Sequence, residues 1–269
     1  MQRRNFDRGE GSLVPYTLLS PGMLEIDGVR IFLDHADNDS KFRNNSRDDA
    51  FYMAKNASYL DSYEELNSTP SFTGLSNANI LELGIFTGGS AVFFYKLYQP
   101  RTLVCVDFMP KPAPALETFI RDNKIKNIRT YYDTDQANKP KLREIIESEF
   151  SGPLDLVIDD ASHFYENSRA SFEAIFPYLA PGGIYVVEDW GWAHNAAAGQ
   201  SDHMWANMTA LTNLIFRFVA MHGADLGLVR RIGFSVGMMW VQKGIAELPK
   251  RDFALDQYER PRGREIPLV

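Results

Sequence analysis

Two pairs of acidic residues each follow an apolar run of strand length in the second half of the sequence. Asp159 and Asp160 end the run in LDLVIDDASH, and Glu188 and Asp189 end the run in YVVED. A buried parallel strand is typically a continuous apolar run, and ligands of open α/β sheets bind beyond the carboxyl ends of such strands. We therefore expect the four carboxylates to converge on one crevice, with His163 at its rim.

Four carboxylates in one crevice indicate a bound cation. Like charges repel at short range unless positive charge lies among them, and oxygen ligands favour Mg²⁺, Ca²⁺ or Mn²⁺ over Zn²⁺. The alternative for Asp159 and Asp160 is that they cap the following helix, but the second acidic pair favours a metal site. His163 could be a solvated histidine, although its position shortly after Asp160 favours catalysis.

The surrounding elements must hold these side chains at one edge of a sheet. From Asn79 onwards strand and helix patterns alternate, which predicts a parallel sheet with helices on both faces. The predicted strands are 80–83, 103–106, 128–132, 154–158 and 184–187, with helices at 91–98, 115–123, 141–150, 167–179 and about 204–221. The runs LGLVRRIGF and SVGMMWVQK predict a hairpin that turns near Phe234. The expected fold is α/β: a Rossmann-like, doubly wound, mostly parallel seven-stranded sheet with an antiparallel C-terminal hairpin.

The first 78 residues predict an N-terminal extension. Residues 1 to about 20 are expected to form a polar arm, and MLEIDGVRIFL predicts a hairpin around Asp27 and Gly28. A two-stranded hairpin is marginal alone, so it should pack on the main domain or on another subunit. Ser46 begins a helix pattern that carries Phe51, Tyr52, Tyr59, Leu60, Tyr63 and Leu66. We delimit the extension as 1–78, the main domain as 79–245 and a tail as 246–269.

Composition excludes several classes of protein. With 45% hydrophobic and 23% charged residues the chain is typical of a soluble globular protein, and a net charge of -7 argues against a nucleic-acid partner. The lone Cys105 excludes an internal disulfide framework. No apolar run is long enough to span a membrane, and the N-terminal stretch has no signal-peptide core. We expect a cytoplasmic protein whose partners include neither membrane nor nucleic acid.

The first strand-to-helix turn, ILELGIFTGGS, predicts a cofactor site. Its glycines let the backbone approach a ligand, but Glu82 would repel a pyrophosphate and suits an ammonium or sulfonium group. Asp107, at the end of the next strand, is placed to bind ribose hydroxyls. Glycines in such turns can also serve packing alone. Together with the C-terminal hairpin, the turn and Asp107 favour S-adenosylmethionine over NAD.

These motifs resemble the class I S-adenosylmethionine-dependent methyltransferases. The resemblance is closest to the metal-dependent O-methyltransferases that modify sugars of macrolide antibiotics, of the mycinamicin type, and to the related cephalosporin-hydroxylase-like group. It covers Asn79 to about Lys243 and is strongest in ELGIFTGGS, IDDASH and YVVEDW. The sequence departs from the family at Ala161, where glycine is usual, and at Asn167, where a second histidine is common.

The resemblance implies a role for each site residue. Mg²⁺, with Mn²⁺ or Ca²⁺ as alternatives, would bind Asp160, Glu188 and Asp189, and His163 would act as general base, so that His163 and Asp160 form the catalytic pair. S-adenosylmethionine would be bound by Glu82, Gly84, Thr87, Gly88, Ser90, Asp107, Asp135, Gln136 and Asp159, with DTDQ (133–136) as the adenine-side loop. Asp159 could instead support a metal ligand from behind.

The function implied is methyl transfer from S-adenosylmethionine to a hydroxyl of a vicinal diol, on a sugar of a glycosylated natural product or on a saccharide. The metal would lower the pKa of that hydroxyl, and His163 would accept its proton near neutral pH. Trp190 and Trp192 either stack on the acceptor or pack as a lid. The alternatives are a catechol acceptor, for which lysine is usual at position 163, a non-catalytic cofactor-binding partner subunit, and an NAD-dependent dehydrogenase. The N-terminal hairpin predicts a homo-oligomer, a dimer or a tetramer.

Overall fold

The fold was obtained as a computed structural model, and the residues that it describes are 2–3, 14–34, 50–67, 75–194 and 206–258. The chain divides into two compact units, Met1–Thr134 and Asp135–Val269. Its described residues contain one sheet of five strands and one sheet of seven. None of the described helices has the length and hydropathy needed to cross a bilayer.

The five-stranded sheet is N-terminal and lies within the first unit. Its strands follow chain order and are antiparallel except for the parallel pair β4–β5. Asp27 and Gly28 have φ angles of 45° and 75°, as the predicted two-residue hairpin turn requires. The elements are β1 (Gln2–Arg3), β2 (Tyr16–Ser20), β3 (Met23–Ile26), β4 (Val29–Leu33), β5 (Phe51–Met53) and the helix α1 (Ala57–Asn67).

Two N-terminal predictions were wrong. The arm predicted for residues 1 to about 20 contains strand β2, which pairs with β3 across the Pro21–Gly22 turn. Phe51 and Tyr52 lie in β5 and not in a helix, because the pairing of β5 with β4 overrides the local helix pattern. The helix begins only at Ala57, after Asn56, whose Oδ1 accepts a hydrogen bond from the amide of Ser58 at 3.0 Å. The predicted start at Ser46 lies outside the described residues.

The seven-stranded sheet confirms the α/β prediction. Its strands are β6 (Asn79–Leu83), β7 (Thr102–Val106), β8 (Ile128–Tyr131), β9 (Leu154–Asp159), β10 (Leu179–Glu188), β11 (Val229–Ser235) and β12 (Met238–Lys243). They run in the order β11-β12-β10-β9-β6-β7-β8. The pairs β6–β7, β7–β8 and β9–β10 are parallel, whereas β12 is antiparallel to both β10 and β11. The sheet is therefore Rossmann-like, with the antiparallel hairpin at its C-terminal end.

Helices connect these strands. They are α2 (Gly89–Tyr98), α3 (Pro114–Asp122), α4 (Lys139–Glu149), α5 (Tyr165–Ile175) and α6 (Thr212–Ala224). Helix α2 is buried on nearly all sides, because it contacts β3, β4 and β5 as well as β7. The ring of Phe93 packs edge-on against Tyr16, with centroids 5.9 Å apart, and Phe94 packs against Tyr63 at 4.8 Å. The N-terminal sheet thus packs on its own unit, which was one of the two expected arrangements.

Four element boundaries in the second unit differ from the prediction. The helix predicted to reach residue 179 ends at Ile175 and continues as a short 3₁₀ turn, Phe176–Tyr178. Strand β10 begins at Leu179 rather than Ile184, and its pairing with β9 shifts register between these two residues, in the stretch that contains Pro181 and Gly182. The C-terminal hairpin turns at Val236 and Gly237, so Phe234 lies within β11. Helix α6 begins at Thr212, and the expected earlier start falls partly outside the described residues.

Candidate functional site

The two acidic pairs lie at the carboxyl ends of adjacent parallel strands in the second unit. Val187 of β10 pairs with Asp159 of β9, so the loops that leave both strands begin side by side. Asp160, His163 and Asp189 come together there, and one ligand atom from each lies within 4.8 Å of the other two. His163 Nε2 is 3.9 Å from Asp160 Oδ1 and 3.8 Å from Asp189 Oδ2. We call these three residues the acidic cluster.

The acidic cluster has the chemistry of a divalent cation site. Its side chains are partly buried, with exposed fractions of 23% for Asp160, 15% for His163 and 19% for Asp189. Two carboxylates and one imidazole at this spacing offer hard oxygen ligands and a borderline nitrogen, a set that suits Mg²⁺ or Mn²⁺. The residues present therefore fit the metal that the sequence predicted.

An unusual backbone geometry places two of these side chains. His163 and Asp189 have φ angles of 57° and 53°, in the left-handed region that residues other than glycine, asparagine, aspartate and histidine rarely adopt. The amide of Asp189 donates to the carbonyl of Gly237 at 2.8 Å, which fixes this turn to the C-terminal hairpin. Such backbone strain persists only where surrounding contacts impose it, and it concentrates at functional sites.

The other members of the acidic pairs are buried. Asp159 and Glu188 are the last residues of β9 and β10, and their exposed fractions are 2% and 1%. Because successive side chains of a strand point to opposite faces, each pair sends only one carboxylate to the cluster. The structure does not bring Glu188 into the cluster, so its role as a metal ligand stays a prediction.

Asp159 is held in a buried hydrogen-bond network. Its Oδ2 accepts from Ser171 Oγ at 2.8 Å and from Tyr185 OH at 2.9 Å, and its Oδ1 accepts from Gln136 Nε2 at 3.0 Å. Burial raises the pKa of the Asp159 carboxyl above its ordinary value, although these three donors and the nearby His163 act in the opposite direction. The geometry gives Asp159 a supporting role, and a contact with the cofactor stays a prediction.

Gln136 and Asp135 occupy the short turn before α4, and their environments differ. Gln136 is 5% exposed and joins the Asp159 network, while its Oε1 accepts from the amide of Ser162 at 2.8 Å. Asp135 is exposed, and its Oδ1 accepts from the amide of Ala137 at 2.8 Å. Of these two predicted adenine-side residues, only Asp135 presents its side chain to solvent.

The two tryptophans after β10 line a small cleft beside the cluster. The Trp192 ring stacks on the His163 imidazole, and Trp190 packs edge-on against Phe234 with centroids 5.7 Å apart. Met208 lines the same cleft and is half exposed. The structure therefore places Trp190 and Trp192 where an acceptor bound at the cluster would meet apolar surface.

Asp107 organises the predicted cofactor turn in the first unit. Its Oδ2 accepts from the amides of Ile85 and Phe86 at 2.6 and 2.9 Å, and its Oδ1 accepts from the amide of Met109 at 2.7 Å. An ionised carboxylate has about four acceptor positions, so one remains for a ribose hydroxyl. Phe108 and Met109 beside it are 70% and 58% exposed, which suits a nucleoside base. These residues fit an adenosine-containing ligand.

The glycines of this turn are required for packing. A Cβ at Gly89 would collide with the carbonyl oxygen of Tyr52, and a Cβ at Gly88 would lie 2.5 Å from Leu116 Cβ. Thr87 Oγ1 donates to that Tyr52 carbonyl at 2.5 Å, and Ser90 is buried in the first turn of α2. The packing alternative therefore accounts for both glycines, while Gly84, with φ of 100°, meets the backbone need of the turn itself.

Glu82 lies in β6 and is 1% exposed. It pairs in register with Cys105 of β7. Burial raises the pKa of the Cys105 thiol, and the charge and hydrogen bond of Glu82 raise it further. The cysteine is thus a neutral neighbour of the carboxylate that the sequence assigned to the cofactor.

Ser171 and Tyr185 were missed by sequence reasoning. Both are fully buried, and both donate to Asp159. A hydroxyl within the apolar strand run IYVVED was a usable signal for Tyr185, because buried polar groups need partners. Ser171 lies among mixed helix residues, and no pattern in the sequence singles it out.

Comparison with known proteins matches this part of the chain. Residues 81–190 match a model of a methyltransferase domain. Demethylmacrocin O-methyltransferase of Streptomyces fradiae is 48% identical over 61 residues, which is 22% of this chain and 15% of that protein. Mycinamicin VI 2''-O-methyltransferase of Micromonospora griseorubida is 32% identical over 140 residues, 49% of this chain and 32% of that protein. The chain thus spans about a third or less of the length of these curated relatives.

A solved structure agrees with these matches. The MycE methyltransferase from the mycinamycin biosynthetic pathway, in complex with Mg and SAH, is 25% identical with a TM-score of 0.50, over 72% of this chain and 51% of that chain. The matched region contains the glycine turn, Asp107 and all residues of the acidic cluster. We conclude that the chain contains an S-adenosylmethionine-dependent methyltransferase domain of the type found in these O-methyltransferases.

Proposed function

We propose that this protein transfers the methyl group of S-adenosylmethionine to one hydroxyl of a vicinal diol, on a sugar of a glycosylated natural product, with Mg²⁺ as the metal. The acidic cluster is the observation that carries the proposal. Two carboxylates and a histidine follow adjacent strands of a methyltransferase domain, and their possible ligand atoms lie within 4.8 Å of one another. The named relatives include O-methyltransferases that act on glycosylated antibiotics.

The residues of the cluster divide the work between them. Asp160 and Asp189 would hold the metal, with Glu188 as the further predicted ligand. A bound Mg²⁺ would supply Lewis acidity that lowers the pKa of an alcohol. His163 lies beside both carboxylates and would accept the hydroxyl proton, because histidine is the side chain that most often acts as a general base.

The first unit would hold the cofactor. The free acceptor position of Asp107 suits a ribose hydroxyl, and the exposed side chains of Phe108 and Met109 suit the adenine. Glu82 would favour the positive end of the cofactor over the phosphates of a dinucleotide. Gly84, Thr87, Gly88 and Ser90 complete the cofactor contacts proposed for this unit.

The acceptor would meet the aromatic cleft. The carbon-bearing face of a sugar packs well on an indole, because both surfaces are apolar and flat. Trp190, Trp192 and Met208 supply such surface directly beside His163. The proposal also includes a cytoplasmic location, a homo-oligomeric state, and the absence of a nucleic-acid partner, which follows from the net charge of -7.

The test is methyl transfer from labelled S-adenosylmethionine to a panel of glycosides and catechols, with Mg²⁺ and with EDTA. The wild type is compared with Asp160→Asn and with Asp122→Asn, an exposed aspartate of α3 that serves as a charge-matched control. We expect transfer to a glycoside that EDTA abolishes and that only Asp160→Asn impairs. Transfer that survives EDTA would overturn the metal mechanism. Transfer to catechols alone would contradict the proposed sugar acceptor and favour a catechol acceptor.

A competition experiment addresses the cofactor and the non-catalytic alternative. Binding of labelled S-adenosylmethionine is measured against unlabelled S-adenosylmethionine and against NAD. We expect displacement by the first compound alone. Tight binding of S-adenosylmethionine without turnover of any acceptor by this chain would favour a partner subunit.

A further inference from the structure

A single side chain connects the turn before α4 to the loop that carries Asp160 and His163. The Gln136 carboxamide donates from Nε2 to Asp159 Oδ1 at 3.0 Å and accepts at Oε1 from the Ser162 amide at 2.8 Å. Ser162 lies between Asp160 and His163, so this second bond fixes the backbone of the loop at its middle. The loop is further tightened by the Phe164 amide, which donates to Ser162 Oγ at 3.2 Å.

The Gln136 carboxamide and the Asp159 carboxylate are both buried, and their polar atoms all have hydrogen-bond partners. Gln136 and Asp159 are 5% and 2% exposed, so water cannot substitute for a lost partner at low cost. Asp159 is itself anchored by hydroxyl donors from α5 and β10, Ser171 and Tyr185. The orientation of the Gln136 amide is therefore determined: the carboxylate needs its donor, and the Ser162 N–H needs its acceptor.

We propose that Gln136 is a positioning residue for the acidic cluster: through its bonds to Asp159 and the Ser162 amide, it holds the loop in the conformation that brings Asp160 and His163 beside Asp189. It acts through the loop and touches none of the reacting groups. The left-handed backbone of His163, with φ of 57°, needs an external restraint, because an isolated loop would relax from it. The metal part of this inference rests on the proposed function, whereas the loop restraint itself does not.

The donor pattern permits an exchange that separates positioning from general packing. In Gln136→Glu, one carboxylate oxygen still accepts from Ser162, but the other faces the Asp159 carboxylate, and the two groups repel each other unless they take up a proton. In Asp159→Asn, the new oxygen can accept from Gln136 only if the new NH₂ group faces Ser171 and Tyr185, whose hydroxyls can accept from it only by turning their own protons away from position 159. In the double variant Gln136→Glu/Asp159→Asn, the new carboxamide donates to the new carboxylate, its oxygen accepts from Ser171 and Tyr185, and the Ser162 amide keeps its acceptor.

The first experiment is hydrogen exchange of the segment 160–164 in the metal-free protein. We expect the Ser162 amide to exchange about tenfold faster or more in Gln136→Glu, to change less in Asp159→Asn because its hydroxyl partners can reorient, and to return close to the wild-type rate in the double variant. Gln257→Glu, the same change at an exposed glutamine, is the control and should match the wild type. Wild-type protection in Gln136→Glu, or a double variant that exchanges as fast as Gln136→Glu, would overturn the inference.

The second experiment is titration of the same proteins with Mn²⁺ alone, followed by electron paramagnetic resonance. A loosened loop should weaken Mn²⁺ binding about tenfold in Gln136→Glu, and the double variant should recover it. Wild-type Mn²⁺ affinity in Gln136→Glu would overturn the positioning of the cluster. If the wild type binds no Mn²⁺, the proposed metal function fails, while the exchange experiment still decides the role of Gln136 in the loop.

Discussion

The indole of Trp192 lies nearly parallel to the imidazole of His163, with ring centroids 5.3 Å apart and planes 17° apart. Stacking on a flat neighbour restricts the rotation of the imidazole and thereby fixes the direction of its nitrogens. An aromatic pair of this kind contributes about 0.5–1.5 kcal/mol beyond the area that it buries. We therefore infer a second role for Trp192 besides the proposed contact with the acceptor, which is to orient the His163 imidazole.

We predict that Trp192→Ala lowers kcat about three- to tenfold, because the proposed base, His163, loses its orientation. Trp192→Phe keeps a flat ring and should stay within about threefold of the wild type. Steady-state methyl transfer to a glycoside that the proposed panel identifies gives kcat and KM separately. A rise in KM with unchanged kcat in Trp192→Ala would instead assign this ring to acceptor binding.

We predict that His163→Ala lowers the rate of methyl transfer about 10²- to 10⁴-fold and leaves Mn²⁺ affinity largely unchanged, because a general base is not needed to hold the metal. The test combines single-turnover kinetics with Mn²⁺ titration. Asp160→Asn is the comparison that should lose both properties. A loss of about tenfold or more in Mn²⁺ affinity for His163→Ala would make the imidazole a third ligand, which its distances to both aspartates permit.

We predict that Gly89→Ala lowers the free energy of unfolding by about 1–3 kcal/mol, because the new methyl group would meet the backbone of Tyr52 and Met53 in β5. Urea unfolding followed by circular dichroism measures the change. Gly223→Ala in α6, where no atom other than the adjoining residues and the helix's own backbone lies within 4 Å of the added carbon, is the control and should raise stability by up to about 1 kcal/mol. A Gly89→Ala protein as stable as the wild type would show that β5 yields at low cost.

The Glu173 carboxylate predicts a pH dependence of stability. Burial would raise its pKa, but donors from Lys139, the Leu255 amide and Arg169 outweigh burial and lower the pKa below 4.5. Because the unfolded state then binds more protons, this contribution to stability is present above about pH 4.5 and is lost as the pH falls through the folded pKa.

We therefore expect Glu173→Gln to lower the free energy of unfolding at pH 7 by about 2 kcal/mol, and to flatten its decline below pH 4.5. Urea unfolding over a series of pH values measures both effects. Glu144→Gln, which removes an exposed ion pair with Lys141, should change stability by less than about 1 kcal/mol. Parallel acid limbs for Glu173→Gln and the wild type would contradict the assignment.

The sequence predicted the strand ends more reliably than the side-chain directions. Apolar runs that end in acidic residues predicted β9 and β10, since a buried parallel strand is typically a continuous apolar run. The sequence did not show that Asp159 and Glu188 would be buried. The burial of these two side chains depends on where each strand ends and on the left-handed turns at His163 and Asp189. No local sequence pattern predicts those turns.

Long-range pairing explains the main error in the fold. Phe51 and Tyr52 have neighbours typical of a helix, yet they pair with Ile31 and Phe32 in a parallel arrangement. Such pairing is decided by tertiary contacts, which override weak local preference. The partners of Asp159 were hidden for a similar reason, because Gln136, Ser171 and Tyr185 come from three separate elements.

The left-handed backbone at His163 also limits which residue types can replace this histidine during evolution. A φ of 57° is tolerated by glycine, asparagine, aspartate and histidine more readily than by other residues. Replacement of this histidine by lysine would strain the backbone unless the conformation of the loop changed as well. The residue types that are easily inherited at this position include one good base near neutral pH, and that base is histidine.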